Sequence, residues 1–278
     1  MTTGGCSSAA KIWNWMSVNT AQTVKRDVLF NEAHGLATDI YYANTENQPS
    51  KGTIIFIYGG SWRSGNKELY GFLADGLGKY GYDVVIPSYR LYPNAAYPEF
   101  VQDVADFMQW YADNAQAFNL SLDNLYLMGH SAGAYNAAMY LTDPSYAKPL
   151  SYQAFIGLAG PYDFFLPTED PKYIPIFTEN GPFNVPNSMP AHQPGNNLAK
   201  IVKRALLLHG KDDTIVTPKN IASFGQYLTD KNVAVQTRIY DDVDHKQLVS
   251  AVNNVPFVSH NIRDEIIAFI EKDSLDNK

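Results

Sequence analysis

The run Thr53-Ile54-Ile55-Phe56-Ile57-Tyr58 constrains this chain most. It is apolar on both faces, so as a strand it needs cover on both sides, which a parallel sheet between two helical layers provides. The rest of the sequence keeps that rhythm. From Lys25 onward, short β-branched and aromatic runs alternate with helical patterns, as in a mostly parallel sheet with helices on both faces. Val24 to Phe30 and Thr38 to Tyr42 read as an antiparallel entry hairpin. A helix from about Lys67 to Tyr80 leads into a strand over Asp83 to Ile86. Pro98 opens a second helix, in which Val101, Val104, Phe107, Met108 and Tyr111 recur at helical spacing. Further strands are expected at Asn124 to Met128, Ala154 to Leu158, Ala205 to His209 and Val233 to Tyr240. A final helix carries Ile262, Ile266, Phe269 and Ile270 on one face.

With 278 residues, 45% of them apolar, the chain is long enough for one large core and reads as a single domain over 1–278. Its 21 basic and 28 acidic residues leave a net charge of −7, without a Lys/Arg cluster to track a phosphate backbone, which argues against nucleic-acid binding. No uninterrupted apolar run reaches the length of a membrane span. A single cysteine, Cys6, leaves no intrachain disulfide and no cysteine-based zinc site, so the core must hold the fold. Cys6 lies in an N-terminal extension, residues 1–22. There Gly4-Gly5-Cys6-Ser7-Ser8 resembles the stretch around the acylated cysteine of a bacterial lipoprotein whose signal peptide has been replaced by Met1. That reading implies a lipid anchor at the cell envelope; a disordered polar start, the other reading, leaves a cytoplasmic protein. Residues 161–200 hold eight of the 16 prolines, with Tyr162, Phe164, Phe165, Tyr173, Phe177 and Phe183 among them. A long regular helix is excluded there. The segment reads as a cap or partial lid, with an inert surface loop as the alternative.

Gly129-His130-Ser131-Ala132-Gly133 follows the strand at Asn124 to Met128 directly, and the small residues Ala134, Ala137 and Ala138 continue into a helix. In a Gly-x-Ser-x-Gly turn between strand and helix the serine hydroxyl is exposed and small neighbours avoid a clash, so Ser131 is the candidate nucleophile. Serine needs a base within hydrogen-bond reach and a carboxylate to orient that base. Among six histidines, His245 follows the last expected strand in a loop that can present it at the carboxyl end of the sheet. His34, His130, His192 and His260 read as surface or capping residues, and His209 as a turn residue. Asp212 and Asp213 both follow the strand ending at His209, with Asp163 as an outside candidate, while Asp241, Asp242 and Asp244 read as a solvated loop. For an oxyanion, the N–H of Ala132 and those of Gly60 and Ser61, in the glycine turn after the central strand, are the candidate donors.

Together these segments resemble the esterase and lipase branch of the α/β hydrolases, in particular its carboxylesterase, feruloyl-esterase-like and arylformamidase-like members. The likeness rests on Tyr58-Gly59-Gly60-Ser61-Trp62, on Ser88-Tyr89-Arg90-Leu91-Tyr92-Pro93 with Tyr97-Pro98 and Asp103, on Gly129 to Ala134, and on Asp213 with His245. Two positions depart from it: Tyr58 replaces the usual histidine of the oxyanion loop, and His130 stands where the hormone-sensitive-lipase group has aspartate. The second departure favours the formamidase and feruloyl-like side. The resemblance implies an α/β-hydrolase fold with a central sheet of about eight strands. It also favours Asp213 over Asp212, because His209 to Val216 has the form His-Gly-x-x-Asp-x-x-Val that this turn takes in the family. The implied activity is cleavage of a small-molecule ester through Ser131, His245 and Asp213, with no cofactor and no metal. Trp62, Phe164 and Phe165 are candidate pocket residues. An arylformamidase is the nearest rival, and a catalytically silent binding module on the same scaffold is the non-enzymatic one.

Overall fold

The computed structural model describes residues 23–45, 48–147, 149–163, 176, 181–183, 194, 202–253 and 261–276. Cys6 and the rest of the N-terminal extension, and most of the proline-rich segment, lie outside them. β1 (Val24–Asn31) and β2 (Leu36–Tyr41) form the expected antiparallel hairpin. They are followed by β3 (Gly52–Ile57), α1 (Gly71–Gly78), β4 (Tyr82–Pro87), α2 (Glu99–Asn114) and β5 (Leu125–His130). Next come α3 (Ala132–Thr142), β6 (Ala154–Leu158), β7 (Arg204–Gly210), α4 (Lys219–Asp230), β8 (Ala234–Tyr240), α5 (His245–Ser250) and α6 (Ile262–Asp276). The eight strands form one sheet in the order β1-β2-β4-β3-β5-β6-β7-β8. β2 runs antiparallel to both its neighbours, and β4 through β8 are parallel.

Helices cover both faces. Gly129, Gly157, Leu207 and Thr237 lie side by side across β5 to β8 and so point to one face. A Cβ at Gly129 would meet Ala134 of α3, and one at Gly225 of α4 would lie 3.2 Å from Thr237 Cγ2, so α3 and α4 pack on this side. Arg204 and Tyr240 point the other way, where they donate to Phe269 O at 2.8 Å and to Glu265 at 2.6 Å, both on α6. β3, β4 and β5 are buried along their whole lengths, as strands apolar on both faces must be.

Two features differ from the sequence reading. The helix expected over Lys67 to Tyr80 is divided into a 3-10 turn, Lys67–Tyr70, and α1. Asn66 caps the turn, and buried Lys67 is drawn to Asp27 at 2.6 Å, Asp39 at 2.8 Å and Glu68 at 2.8 Å, contacts that hold this turn against the entry hairpin. The second is α4, unanticipated although Ile221, Phe224, Gly225 and Leu228 bury one face of it at helical spacing. Among the described residues no helix is long and apolar enough to cross a membrane.

Candidate active site

β5 runs straight into α3, and Ser131 occupies the junction with φ 53° and ψ −127°. A non-glycine residue held at positive φ is strained and persists only where its surroundings fix it. Here the Ser131 N–H donates to Leu158 O at 2.9 Å, and its carbonyl accepts from Tyr135 N at 3.1 Å. Absent side chains make the turn fit. A Cβ on Gly59 would lie 2.8 Å from Ser131 Cβ, and one on Gly133 would strike the carbonyls of Ile57 and Tyr58. Ser131 thereby borders a cavity of about 330 Å³ whose walls include Ser61, Trp62, Ala132, Ile176 and Val216.

Asp213, just after β7, meets His245 at the start of α5. His245 Nδ1 lies 2.7 Å from Asp213 Oδ2, and the same oxygen lies 3.1 Å from His209 Nε2. The other carboxylate oxygen, Oδ1, accepts from the N–H groups of Ile215 and Val216, both at 2.8 Å. Burial pushes the Asp213 carboxyl up, but the hydrogen bonds from His209 and His245 outweigh it and hold the group below the usual carboxylate range. The close approach of the two loops depends on Gly210, where a Cβ would strike Val243 O. His245 stands at the first position of α5 rather than in the open loop expected. The Asp244 side chain caps that helix, accepting from Lys246 N and Gln247 N, while the Gln247 side-chain oxygen accepts from Asp244 N at 2.8 Å.

The other acids are elsewhere. Asp212 is exposed, Asp241 pairs with Lys211 at 2.6 Å, and the Asp163 N–H donates to Asn220 Oδ1 at 2.7 Å. Among the histidines, His34 is exposed, and His192 and His260 lie outside the described residues. His130 is not the surface or capping residue expected. It is 5% exposed, with Nε2 3.1 Å from His245 O and its ring centroid 4.7 Å from that of His245. His209, read as a turn residue, does hold its turn, through Nε2 3.0 Å from Val216 O. Its contact with Asp213 was not anticipated; both residues belong to the single His-Gly-x-x-Asp run, which carried the signal.

Gly60 and Ser61, expected as oxyanion donors, lie in the loop after β3. Gly60 has φ 146°, and its carbonyl accepts from Arg63 N at 3.1 Å and Ser64 N at 3.0 Å, closing the turn. Ser61 and Ala132 border the cavity with Ser131. As the first residue of α3, Ala132 has no intrahelical acceptor for its N–H. Tyr58 supports this loop from below: its ring stacks on Tyr89 at 4.6 Å, and its carbonyl accepts from Tyr89 Oη at 2.8 Å. Trp62 is both cavity wall and core, donating through Nε1 to Asn136 Oδ1 at 2.8 Å and meeting Phe183 edge-on at 4.9 Å. Pro161 and Ile176, both from the proline-rich segment, line the cavity, and the Phe183 N–H donates to Ile176 O at 3.1 Å. Phe164 and Phe165 lie outside the described residues.

The sheet order and the helices on both its faces are those of the α/β-hydrolase fold. The chain belongs to the BD-FAE family, which it matches over residues 38–228. It is 25% identical over 245 residues to a probable isoprenylcysteine alpha-carbonyl methylesterase ICME of Oryza sativa subsp. japonica, covering 81% of this chain and 58% of that protein. It is 32% identical over 139 residues to kynurenine formamidase of Danio rerio, covering 49% of this chain and 44% of that one. The chain thus spans about half the length of these relatives. In fold it is similar to an inhibited esterase B from Lactobacillus rhamnosis, with a TM-score of 0.79 at 16% identity over 98% of this chain and 94% of that one.

Proposed function

We propose that this chain hydrolyses short-chain or aryl carboxylic esters through an acyl-enzyme formed on Ser131. His245 takes the Ser131 proton as Oγ attacks the carbonyl carbon, and then gives that proton to the departing alkoxide. A water, deprotonated by the same imidazole, attacks the acyl-enzyme and releases the acid. Asp213 holds the ring through Nδ1 and stabilises the imidazolium, while the N–H groups of Ala132, Gly60 and Ser61 receive the oxyanion. The observation that carries this reading is the 2.7 Å contact between His245 Nδ1 and Asp213 Oδ2, with His245 also against His130, the residue before Ser131. The cavity of about 330 Å³ is at the small end of ligand pockets, which span roughly 300–1,000 Å³, and Trp62 gives it a flat wall for an acyl or aryl group. The test is turnover of p-nitrophenyl acetate and butyrate by the intact chain and by Ser131→Ala. The parent hydrolyses both, and the variant, folded, loses most of the rate; full activity in the variant removes Ser131 from the mechanism.

A second reading, arylformamidase action, is favoured by the 32% identity to the zebrafish kynurenine formamidase. The same three side chains would cleave an N-formyl amide, with an amine leaving in place of an alcohol. Comparing kcat/KM for p-nitrophenyl esters and N-formylkynurenine separates the two. Inertness toward both, together with failure of Ser131 to react with a fluorophosphonate, is the outcome expected of a silent binding module.

A further inference from the structure

We propose that His130 is a positioning residue for His245, a role that rests on the assignment of His245 as the base. Its Nε2 faces the His245 carbonyl at 3.1 Å, and because a carbonyl only accepts, the proton lies on Nε2. The contact joins residues 115 positions apart, tying the end of β5, one residue before the nucleophile, to the first residue of α5. The two rings also meet, with centroids 4.7 Å apart and planes tilted by 43°. The His245 imidazole is therefore restrained at its main chain and ring by His130, and at Nδ1 by Asp213. A base restrained in this way keeps its remaining nitrogen, Nε2, in one direction while the proton travels to and from Ser131.

The environment of His130 fits a neutral, fixed ring. It is buried, and its Nδ1 has no hydrogen-bond partner, as the Nε2–H tautomer in an enclosed site allows. The glycine at position 59 leaves room for it: a Cβ there would lie 3.1 Å from Nδ1 and 2.8 Å from the His130 carbonyl oxygen. The titratable groups around the pair are Asp213, held by His245 Nδ1 and His209 Nε2, and His209 itself, which also faces Val216 O. Burial, and behind it the charge of His245, pushes His130 down to about 3, so the ring adds no second positive charge when His245 becomes an imidazolium. A cation at this distance would oppose that step.

Two measurements test the proposal. In the intact chain labelled with ¹⁵N-histidine, long-range ¹H–¹⁵N NMR should show His130 as the Nε2–H tautomer; the Nδ1–H tautomer would remove the bond to the His245 carbonyl and overturn the proposal. In kinetics on p-nitrophenyl acetate, His130→Phe keeps an aromatic ring but no donor, and kcat should fall about 10- to 100-fold with KM nearly unchanged. His130→Gln, whose amide N–H can reach the same carbonyl, should recover part of that loss. Folded Phe and Gln variants that both keep kcat within about twofold of the parent overturn the proposal. Loss of activity in Ser131→Ala, measured beside them, separates this result from failure of the hydrolase assignment itself.

Discussion

Asp212 and Asp213 are adjacent in sequence and opposite in environment: the Asp213 carboxylate is buried against His245, whereas Asp212 is exposed. Asparagine at position 213 would keep the shape but lose the charge that fixes the imidazole tautomer. In a serine protease that change lowers turnover on the order of 10⁴-fold, and a loss of similar size is expected for Asp213→Asn. Asp212→Asn should stay within about threefold of the parent, as exposed carboxylates usually contribute little. Initial rates on p-nitrophenyl butyrate decide it; an inactive Asp212→Asn and an active Asp213→Asn would reverse the assignment.

Acid should weaken the fold through His130. Its folded-state value is depressed from 6.5 to about 3, so between those pH values the unfolded chain binds a proton that the native chain does not. Stability is therefore complete above pH 6.5 and is lost as pH falls toward 3. Asp213 adds a second loss below its ordinary 3.8, because its folded carboxyl is also held low. Urea midpoints across this range should fall less steeply for His130→Phe than for the parent. Parallel curves would mean that His130 binds a proton as readily in the native chain as in the unfolded one.

Gly133→Ala would drive a Cβ into the carbonyls of Ile57 and Tyr58. The first turn of α3 must then move away from β3, at a cost of about 1–3 kcal/mol. That shift carries Ala132 with it, so kcat should drop along with the urea midpoint. A variant with parent stability and activity would show that the turn has room to spare.

The small cavity predicts a preference for short acyl groups. Esters with acyl chains of about four carbons should be turned over faster than those of about sixteen, which cannot be enclosed in a pocket near the lower size limit. A rate that rises with chain length would place the acyl group outside the walls formed by Trp62, Ile176 and Val216.

What the sequence made legible follows from how local each signal is. β3 and β5 are uninterrupted apolar runs, and Ser131 lies in a contiguous motif, so both are read from neighbouring residues. α4 was harder to read because polar Asn220 sits on its buried face, and Gly225 interrupts that face where the helix presses on Thr237. The start of α5 was readable in principle, since Asp244-His245-Lys246-Gln247 carries the capping-box spacing. The surroundings of His130 were not, because its partner is 115 residues away and is brought to it through the parallel pairing of β5 to β8.

Labelling of the intact chain with a fluorophosphonate, followed by peptide mass spectrometry, tests Ser131 as nucleophile most directly. The account predicts one phosphonyl adduct per chain, located on Ser131 and abolished in folded Ser131→Ala. A folded parent that takes up no label, or carries it on another residue, would contradict it.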